Sequence, residues 1–229
     1  MRSFAEIHAR AAARKGGEAA LEALIAEHRS KTAAELIATP DDRWLAEMSR
    51  SVFQAGFNWK VIENKWKGFE AAFEGFAVPL NAAMSDEEFD AHLKDTRIVR
   101  NAAKILSVRD NAIFLRDLAE EHGSAARFFA KWPAEDFVGL IEVMKKRASR
   151  LSGETAMRFF RVMGKPSFIT SRDVAAALVE AGVLTRPPSG KRDYQATQEA
   201  FNRWAEESGR GLTSISRVLA LSIGPEVYR

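Results

Sequence analysis

The sequence contains no cysteine and only four histidines among its 229 residues. The lack of cysteine excludes disulfide bonds, thiol nucleophiles, iron–sulfur clusters and every zinc site built on thiolates. The four histidines (His8, His28, His92 and His122) are far apart in sequence, so no metal-binding motif is present. We therefore predict no metal and no other cofactor. A chain without cysteine fits a reducing compartment, and we expect the protein in the cytoplasm.

Long apolar runs and phosphate-binding loops are also missing. No apolar run approaches the roughly 18 residues that a membrane span requires, and the N-terminus lacks the pattern of a signal peptide. We therefore expect no association with membranes. Neither G-x-x-x-x-G-K-[ST] nor G-x-G-x-x-G occurs, so the sequence gives no sign of the common nucleotide-binding folds.

What the sequence does contain is helical periodicity along nearly its whole length. Apolar residues make up 46% of the chain and recur at steps of three and four, as in Trp59, Ile62, Trp66, Phe69 and Phe73. Strict alternation over the length of a strand is hard to find. We predict an all-α fold of many helices that forms a single domain over residues 1–229.

Basic residues are concentrated in the segment from Lys145 to Arg172. It holds eight basic residues and one acidic residue, a net charge of +7, so the rest of the chain carries −4 of the total +3. Such a segment is typical of a protein that binds a polyanion. A solvated helix face is the alternative that charge alone leaves open.

Residues 53–59, Phe-Gln-Ala-Gly-Phe-Asn-Trp, are the first candidate site. A glycine within a helical stretch marks a bend, a close backbone approach or a helix boundary. Aromatic faces beside amides can stack on a flat heteroaromatic ligand and hydrogen-bond its edges. Packing of the core around a turn between helices is the alternative.

A helical hairpin within the basic segment is the second candidate site. We predict a helix over residues 134–147 and a second helix that ends near Met163, with small residues between them. The start of the second helix could offer backbone N–H groups to a phosphate, although an ordinary helix corner remains the alternative. A third segment, from Gly164 to Asp173, ends in Asp173, which is either a catalytic carboxylate or part of a helix cap.

Three blocks of the sequence resemble the 3-methyladenine DNA glycosylase I family within the helix-hairpin-helix DNA glycosylase superfamily. Residues 51–59 lie over the family pattern Glu-x-x-Gln-Ala-Gly-Leu-Ser-Trp. Residues 98–105 match Ile-Ile-Arg-x-x-x-Lys-Ile, and residues 164–184 match a weaker third block. The resemblance covers about residues 41–184 and leaves the first and last 40 residues without a counterpart.

The resemblance implies a helix-hairpin-helix DNA repair N-glycosylase that flips out an alkylated purine such as 3-methyladenine and hydrolyses its N-glycosidic bond. It also implies double-stranded DNA as the partner, and we expect a monomer. The implied base-binding pocket comprises Trp59, Phe53, Gln54, Ser51 and Asn58. The implied DNA-binding residues are Arg147, Arg150, Leu151, Ser152, Gly153, Lys165 and Arg172.

The chain departs from the family pattern at two functional positions. The glutamate of the first block, which recognises the methylated base in the family, is replaced by Ser51, and the catalytic aspartate of the superfamily would fall on Ser171. We therefore predict that Glu47, one helical turn before Ser51, or Asp173 supplies the catalytic carboxylate. A DNA-binding module on this fold without excision chemistry, or a helical interaction protein, remains an alternative.

Overall fold

A computed structural model describes residues 1–224. Among these residues there is no β-strand, which confirms the all-α prediction. Two short 3₁₀ helices, Glu74–Phe76 and Ala134–Asp136, accompany the α-helices. The α-helices are α1 (Phe4–Lys15), α2 (Glu18–Ala26), α3 (Ala33–Ile37), α4 (Asp41–Gln54), α5 (Trp59–Ala72), α6 (Val78–Ala82), α7 (Asp86–Lys94), α8 (Ala102–His122), α9 (Ala125–Lys131), α10 (Phe137–Arg147), α11 (Gly153–Met163), α12 (Arg172–Glu180), α13 (Lys191–Ser208) and α14 (Leu212–Ser222).

Local sequence signals set several of these boundaries. The hydroxyl of Ser85 accepts a hydrogen bond from the backbone of Glu88, whose carboxylate accepts one from the backbone of Ser85, so α7 begins with a capping box. α4 begins directly after Pro40, and α8 ends at Gly123, whose φ of 85° favours glycine. Gly56 lies in the turn between α4 and α5 and therefore marks a helix boundary.

The described chain divides into two compact units. The terminal unit comprises residues 1–31, 133–139 and the chain from residue 164 onward, whereas the central unit comprises residues 32–132 and 140–163. Each unit has its own packed interior, and a single domain over residues 1–229 stays a prediction.

In the terminal unit the first helix, α1, packs against the last helix, α14. α14 contacts α1 and α12, and Leu212, Ile215 and Leu219 on α14 are buried. The rings of Phe168 and Phe201 stack with their centroids 4.4 Å apart. The segments without a family counterpart therefore build part of this unit's own core.

In the central unit, α4 lies against both α8 and α11. Trp44 on α4 is fully buried, with its ring centroid 4.9 Å from that of Phe129 and 5.8 Å from that of Phe159. Burial of large aromatic side chains contributes most of the stability of such a core, at about 25 cal/mol per Å² of apolar surface. This packing determines which face of α4 is left for the candidate site.

We expect Asp41→Ala to destabilise the protein by about 1–2 kcal/mol, because Asp41 caps α9. Its carboxylate accepts hydrogen bonds from the backbone N–H groups of Ala125 and Ala126, at 3.0 and 2.9 Å. Urea denaturation measures the change, and Asp90→Ala, at an exposed position on α7, is the matched control. Equal stability of the two variants would show that this cap contributes nothing.

Candidate functional site

The candidate site is built around the turn between α4 and α5. Gly56 adopts a φ of 68°, which lets the chain reverse within residues 55–58. Asn58 closes the turn, since its side-chain oxygen accepts a hydrogen bond from the backbone N–H of Lys60 and caps α5. The turn therefore brings the end of α4 and the start of α5 to one place.

A pocket of about 440 Å³ lies between this turn and α11. One wall comes from α4, the turn and α5, and the facing wall comes from α11. All of these residues belong to the central unit. The lining residues are Glu47, Ser51, Gln54, Ala55, Gly56, Trp59, Glu154, Thr155, Arg158 and Val162.

Four of the residues that we predicted from the sequence line this pocket together: Glu47, Ser51, Gln54 and Trp59. Glu47, Ser51 and Gln54 lie on successive turns of one face of α4, so the periodicity of the helix brings them together. The indole of Trp59 is 55% exposed, which leaves it open to stack on a ligand. The remaining two predicted pocket residues lie elsewhere.

Phe53 and Asn58 do not line the pocket, and this corrects the sequence-based assignment. Phe53 is fully buried and packs edge-on against Phe69, with ring centroids 4.6 Å apart. It occupies the core because it projects from α4 on the face opposite the pocket residues. Asn58 instead uses its side chain to cap α5.

Glu47 is the most perturbed carboxyl group of the pocket. Its side chain is only 12% exposed, Arg50 lies 3.8 Å away, and the Ser51 hydroxyl donates a hydrogen bond to it. Burial raises the pKa of Glu47 from 4.5 to about 7, the nearby charge of Glu63 adds to the rise, and Arg50 and Ser51 oppose it. A buried carboxyl group with a raised pKa in a cleft is typical of a functional site.

The side chains around Glu47 form a polar network on the outer side of the pocket. Glu63 on α5 accepts a hydrogen bond of 2.8 Å from the Gln54 amide and lies 3.9 Å from the Arg50 guanidinium. That guanidinium lies over the ring of Trp66, 4.1 Å from its centroid. The network holds the Gln54 side chain at the pocket and fixes the cation nearest to Glu47.

The wall formed by α11 is the part of the site that the sequence analysis missed. Glu154 and Arg158 form an ion pair one helical turn apart, and Thr155 and Val162 lie beside them. Val162 is 62% exposed although it is apolar. An i,i+4 Glu–Arg pair in a sequence indicates an ordinary helix surface, so only the packing of α11 on α4 reveals this wall.

The predicted hairpin is present in the central unit between α10 and α11. Residues 148–152 connect the helices, and Arg150 and Ser152 are exposed. Arg150 has a φ of 61°, an uncommon conformation for a residue with a side chain. Leu151 is fully buried, so its side chain anchors the hairpin and is not available to contact DNA.

Arg147 and Gly153 flank this hairpin. The guanidinium of Arg147 donates two hydrogen bonds to Glu121 and lies over the ring of Phe114. Gly153 begins α11 with a φ of 52°, and the first backbone N–H groups of a helix have no partner within the helix. The hairpin therefore combines exposed basic and hydroxyl groups with a helix N-terminus.

Three predicted residues lie in the terminal unit and not in the unit that contains the pocket. Asp173 is exposed in the first turn of α12, where Ser171 is the capping residue. Arg172, the first residue of α12, is exposed as well. Lys165 is a correction: it is 2% exposed, and burial lowers its pKa to about 8, so its amine does not lie at a surface that DNA could reach.

Among residues 1–224, no group of three or more His, Asp or Glu side chains could hold a metal ion. No helix in the same range is long and apolar enough to cross a bilayer.

Two solved structures of DNA glycosylases are similar to this chain in fold. A tyrosine-to-phenylalanine variant of 3-methyladenine DNA glycosylase I in complex with 3-methyladenine superposes with a TM-score of 0.50 at 17% identity, over 63% of this chain and 86% of that chain. A glutamate-to-glutamine variant of the Staphylococcus aureus enzyme gives 0.50 at 16% identity, over 66% and 89%. These likenesses show a shared helix-hairpin-helix glycosylase fold.

The Methanocaldococcus jannaschii 8-oxoguanine glycosylase/lyase in complex with DNA has a TM-score of 0.49 at 16% identity and covers 86% of this chain and 88% of its own. Among curated protein sequences, none matches this chain significantly.

The described chain thus has the fold of the helix-hairpin-helix DNA glycosylases. The sequence profile described as methyladenine glycosylase matches residues 37–165, which is more than half of the chain and includes the whole pocket. The protein belongs to the methyladenine glycosylase family, and membership makes it a DNA N-glycosylase, a hydrolase of DNA repair.

We expect Glu47→Gln to stabilise the protein at pH 8 by about 1–3 kcal/mol and to leave its stability at pH 4.5 nearly unchanged. The folded protein keeps a proton on Glu47 up to a pH of about 7, whereas the unfolded chain releases it near 4.5. The wild-type carboxyl group therefore lowers the free energy of unfolding as the pH rises through this window, by about 3 kcal/mol in total. The neutral amide has no such cost.

Urea denaturation of both proteins between pH 4.5 and 8 measures the difference. Glu120→Gln, at an exposed position on α8, is the matched control and should follow the wild type at every pH. A stability difference between Glu47→Gln and wild type that does not change with pH would contradict a raised pKa at Glu47.

Proposed function

We propose that the protein removes cationic alkylated purines, such as 3-methyladenine, from double-stranded DNA, with Glu47 as the catalytic carboxylate and Trp59 as the stacking surface. The observation that carries the proposal is the buried carboxyl group of Glu47 at a pocket of about 440 Å³ whose wall includes the exposed ring of Trp59. Ser51 replaces the family glutamate, and Glu47 brings a carboxylate to the same pocket from one helical turn earlier.

The chemistry of a cationic base fits this pocket. An N3-alkylated adenine carries a positive charge, and the face of a tryptophan attracts a cation by about 0.5–2 kcal/mol. The pair of electrons in the N-glycosidic bond moves to the base, which leaves as a neutral molecule. The positive charge passes to the sugar, and water then adds to the sugar carbon and releases a proton.

Glu47 acts in this scheme by its charge. An ionised carboxylate stabilises the cationic base on entry and the cationic sugar that forms as the bond breaks. A good leaving group needs little general acid catalysis, so the proton on Glu47 is not required. The positive charge of the substrate favours the ionised form of Glu47, even though burial raises its pKa in the empty pocket.

The hairpin supports the proposed grip on DNA. Arg150 and Ser152 are exposed at residues 148–152, and Lys145 and Lys146 are exposed at the end of α10. Together with the first N–H groups of α11, which have no partner within the helix, they can bind phosphates without reading the sequence. Phosphate contacts beside the pocket would hold the strand while the damaged nucleotide flips out, at a cost of a few kcal/mol.

We expect purified protein to release 3-methyladenine from methylated duplex DNA, as measured by mass spectrometry of the free bases. Trp59→Ala should reduce kcat/KM by about 10- to 100-fold, because the base loses its stacking surface. Glu47→Gln should reduce it by about 100-fold through loss of charge stabilisation, whereas Glu120→Gln should retain full activity.

The pH profile separates Glu47 from a structural role. For the wild type, kcat/KM should rise as the pH increases through about 7 and then level off, because only the ionised carboxylate stabilises positive charge. The rise should be absent in Glu47→Gln.

If the folded protein binds duplex DNA with an abasic site but releases no base, it is a DNA-binding module without excision chemistry. If it binds no DNA at all, it is an interaction protein.

A further inference from the structure

Two buried polar residues of α8, Lys104 and Asn111, have no role in the chemistry proposed above. We propose that they are positioning residues that hold the pocket turn and the DNA-binding hairpin in a fixed relation, so that a nucleotide flipped from a strand held by the hairpin enters the pocket in register. This inference rests on the proposed function, because it assumes that the hairpin holds DNA and the pocket receives a base.

Lys104 holds the pocket turn. It is 8% exposed, and its amine donates hydrogen bonds to the backbone carbonyls of Phe53, at 3.1 Å, and Ala55, at 2.8 Å. The last carbonyls of a helix have no partner within the helix, and a cation near them also complements the helix dipole. Lys104 thus caps α4 on both sides of Gln54 and lies 5.7 Å from the centroid of the Phe57 ring.

Asn111 holds the hairpin. It is fully buried, and its amide pairs with the backbone of Ser149 in both directions: Nδ2 donates to the carbonyl at 3.1 Å, and Oδ1 accepts from the N–H at 2.7 Å. This pair satisfies both backbone groups of Ser149 beside Arg150, which adopts a positive φ. The amide therefore fixes the conformation from which the exposed Arg150 side chain projects.

The two contacts are made by one rigid element. Lys104 and Asn111 are seven residues apart, so they lie on the same face of the continuous helix α8, two turns from each other. Burial and the positive charge of Arg150 both lower the pKa of Lys104. Further along α8, Glu121 and Phe114 hold Arg147 at the start of the hairpin.

Burying these polar groups costs desolvation free energy, which an apolar side chain would avoid. A buried ammonium group must be desolvated, and the desolvation lowers the pKa of Lys104. Apolar residues of similar volume would fill the same space without that cost. What they could not do is bind the carbonyls of the pocket turn and the backbone of the hairpin, which is the property that positioning requires.

The expected consequence is a loss of productive alignment with little loss of binding. A reacting group misplaced by about 1 Å can lose about 100-fold in rate. We expect Lys104→Met and Asn111→Leu to lower kcat for base release by about 100-fold and to change KM for duplex DNA by less than about threefold. The double variant should lose no more than either single variant, because either substitution already disconnects the two parts.

A readout that does not require excision distinguishes failure of this inference from failure of the proposed function. Duplex DNA with 2-aminopurine at the target position brightens when that base leaves the stack, and wild-type protein should produce this signal. Both variants should reduce the signal at least tenfold while binding duplex DNA with a stable abasic analogue as the wild type does. Lys131→Met, at an exposed position on α9, is the control and should match the wild type.

Thermal melting checks that each variant is folded. If Lys104→Met or Asn111→Leu does not fold, Lys104→Arg and Asn111→Asp replace them, since each keeps the size of the side chain and alters the hydrogen bonds. Folded variants with wild-type flipping and kcat would overturn the inference. Weaker binding to the abasic duplex that accounts for the whole loss of kcat would also overturn the inference. Lys104 and Asn111 would then only help the hairpin to bind DNA. If the wild type flips the base but releases none, the proposed function fails and the positioning role is still measured by flipping.

Discussion

The packing of α4 between α8 and α11 is the constraint on which the rest of the central unit depends. Both aromatic residues of α4, Trp44 and Phe53, are fully buried, on opposite sides of the helix. Glu47, Ser51 and Gln54 share the part of its surface that is left at the pocket, facing α11. The same burial that stabilises the helix therefore raises the pKa of Glu47, because it removes water from the carboxyl group and the nearby Arg50 offsets this only in part.

The burial of Glu47 lowers stability at neutral pH but places a carboxyl group at the pocket. The Glu47 carboxyl group costs free energy at neutral pH, and under the proposed function a cationic base would recover that cost on binding. The cation nearest to Glu47, Arg50, lies 3.8 Å from Glu47 and 3.9 Å from Glu63 and covers the ring of Trp66, so its charge is shared and does not neutralise Glu47 fully. Such partial compensation is what a site for a positively charged base needs, since a tight ion pair would leave little field in the pocket.

Helix α8 does not line the pocket, but it contacts both the turn after α4 and the hairpin before α11. Its side chains bind the turn after α4 through Lys104 and the hairpin before α11 through Asn111. Turns and hairpins are the more mobile parts of a helical fold. Hydrogen bonds from the side chains of a long helix to their backbone make them rigid. The contacts of α8 therefore hold the segments that form the pocket and the hairpin in fixed positions.

The amino-acid sequence by itself determined the helical class, several helix boundaries and the family, since periodicity, capping residues and short motifs are local properties; the helix predicted over 134–147 begins instead as a 3₁₀ turn, with α10 starting at Phe137. It also determined that Glu47, Ser51 and Gln54 share a face, because the helix repeat requires it. Tertiary structure decided that Phe53 belongs to the core and that Lys165 is buried. It also decided that α11 supplies the facing wall, because the packing of one helix on another depends on contacts between residues about 100 positions apart, which no local pattern encodes.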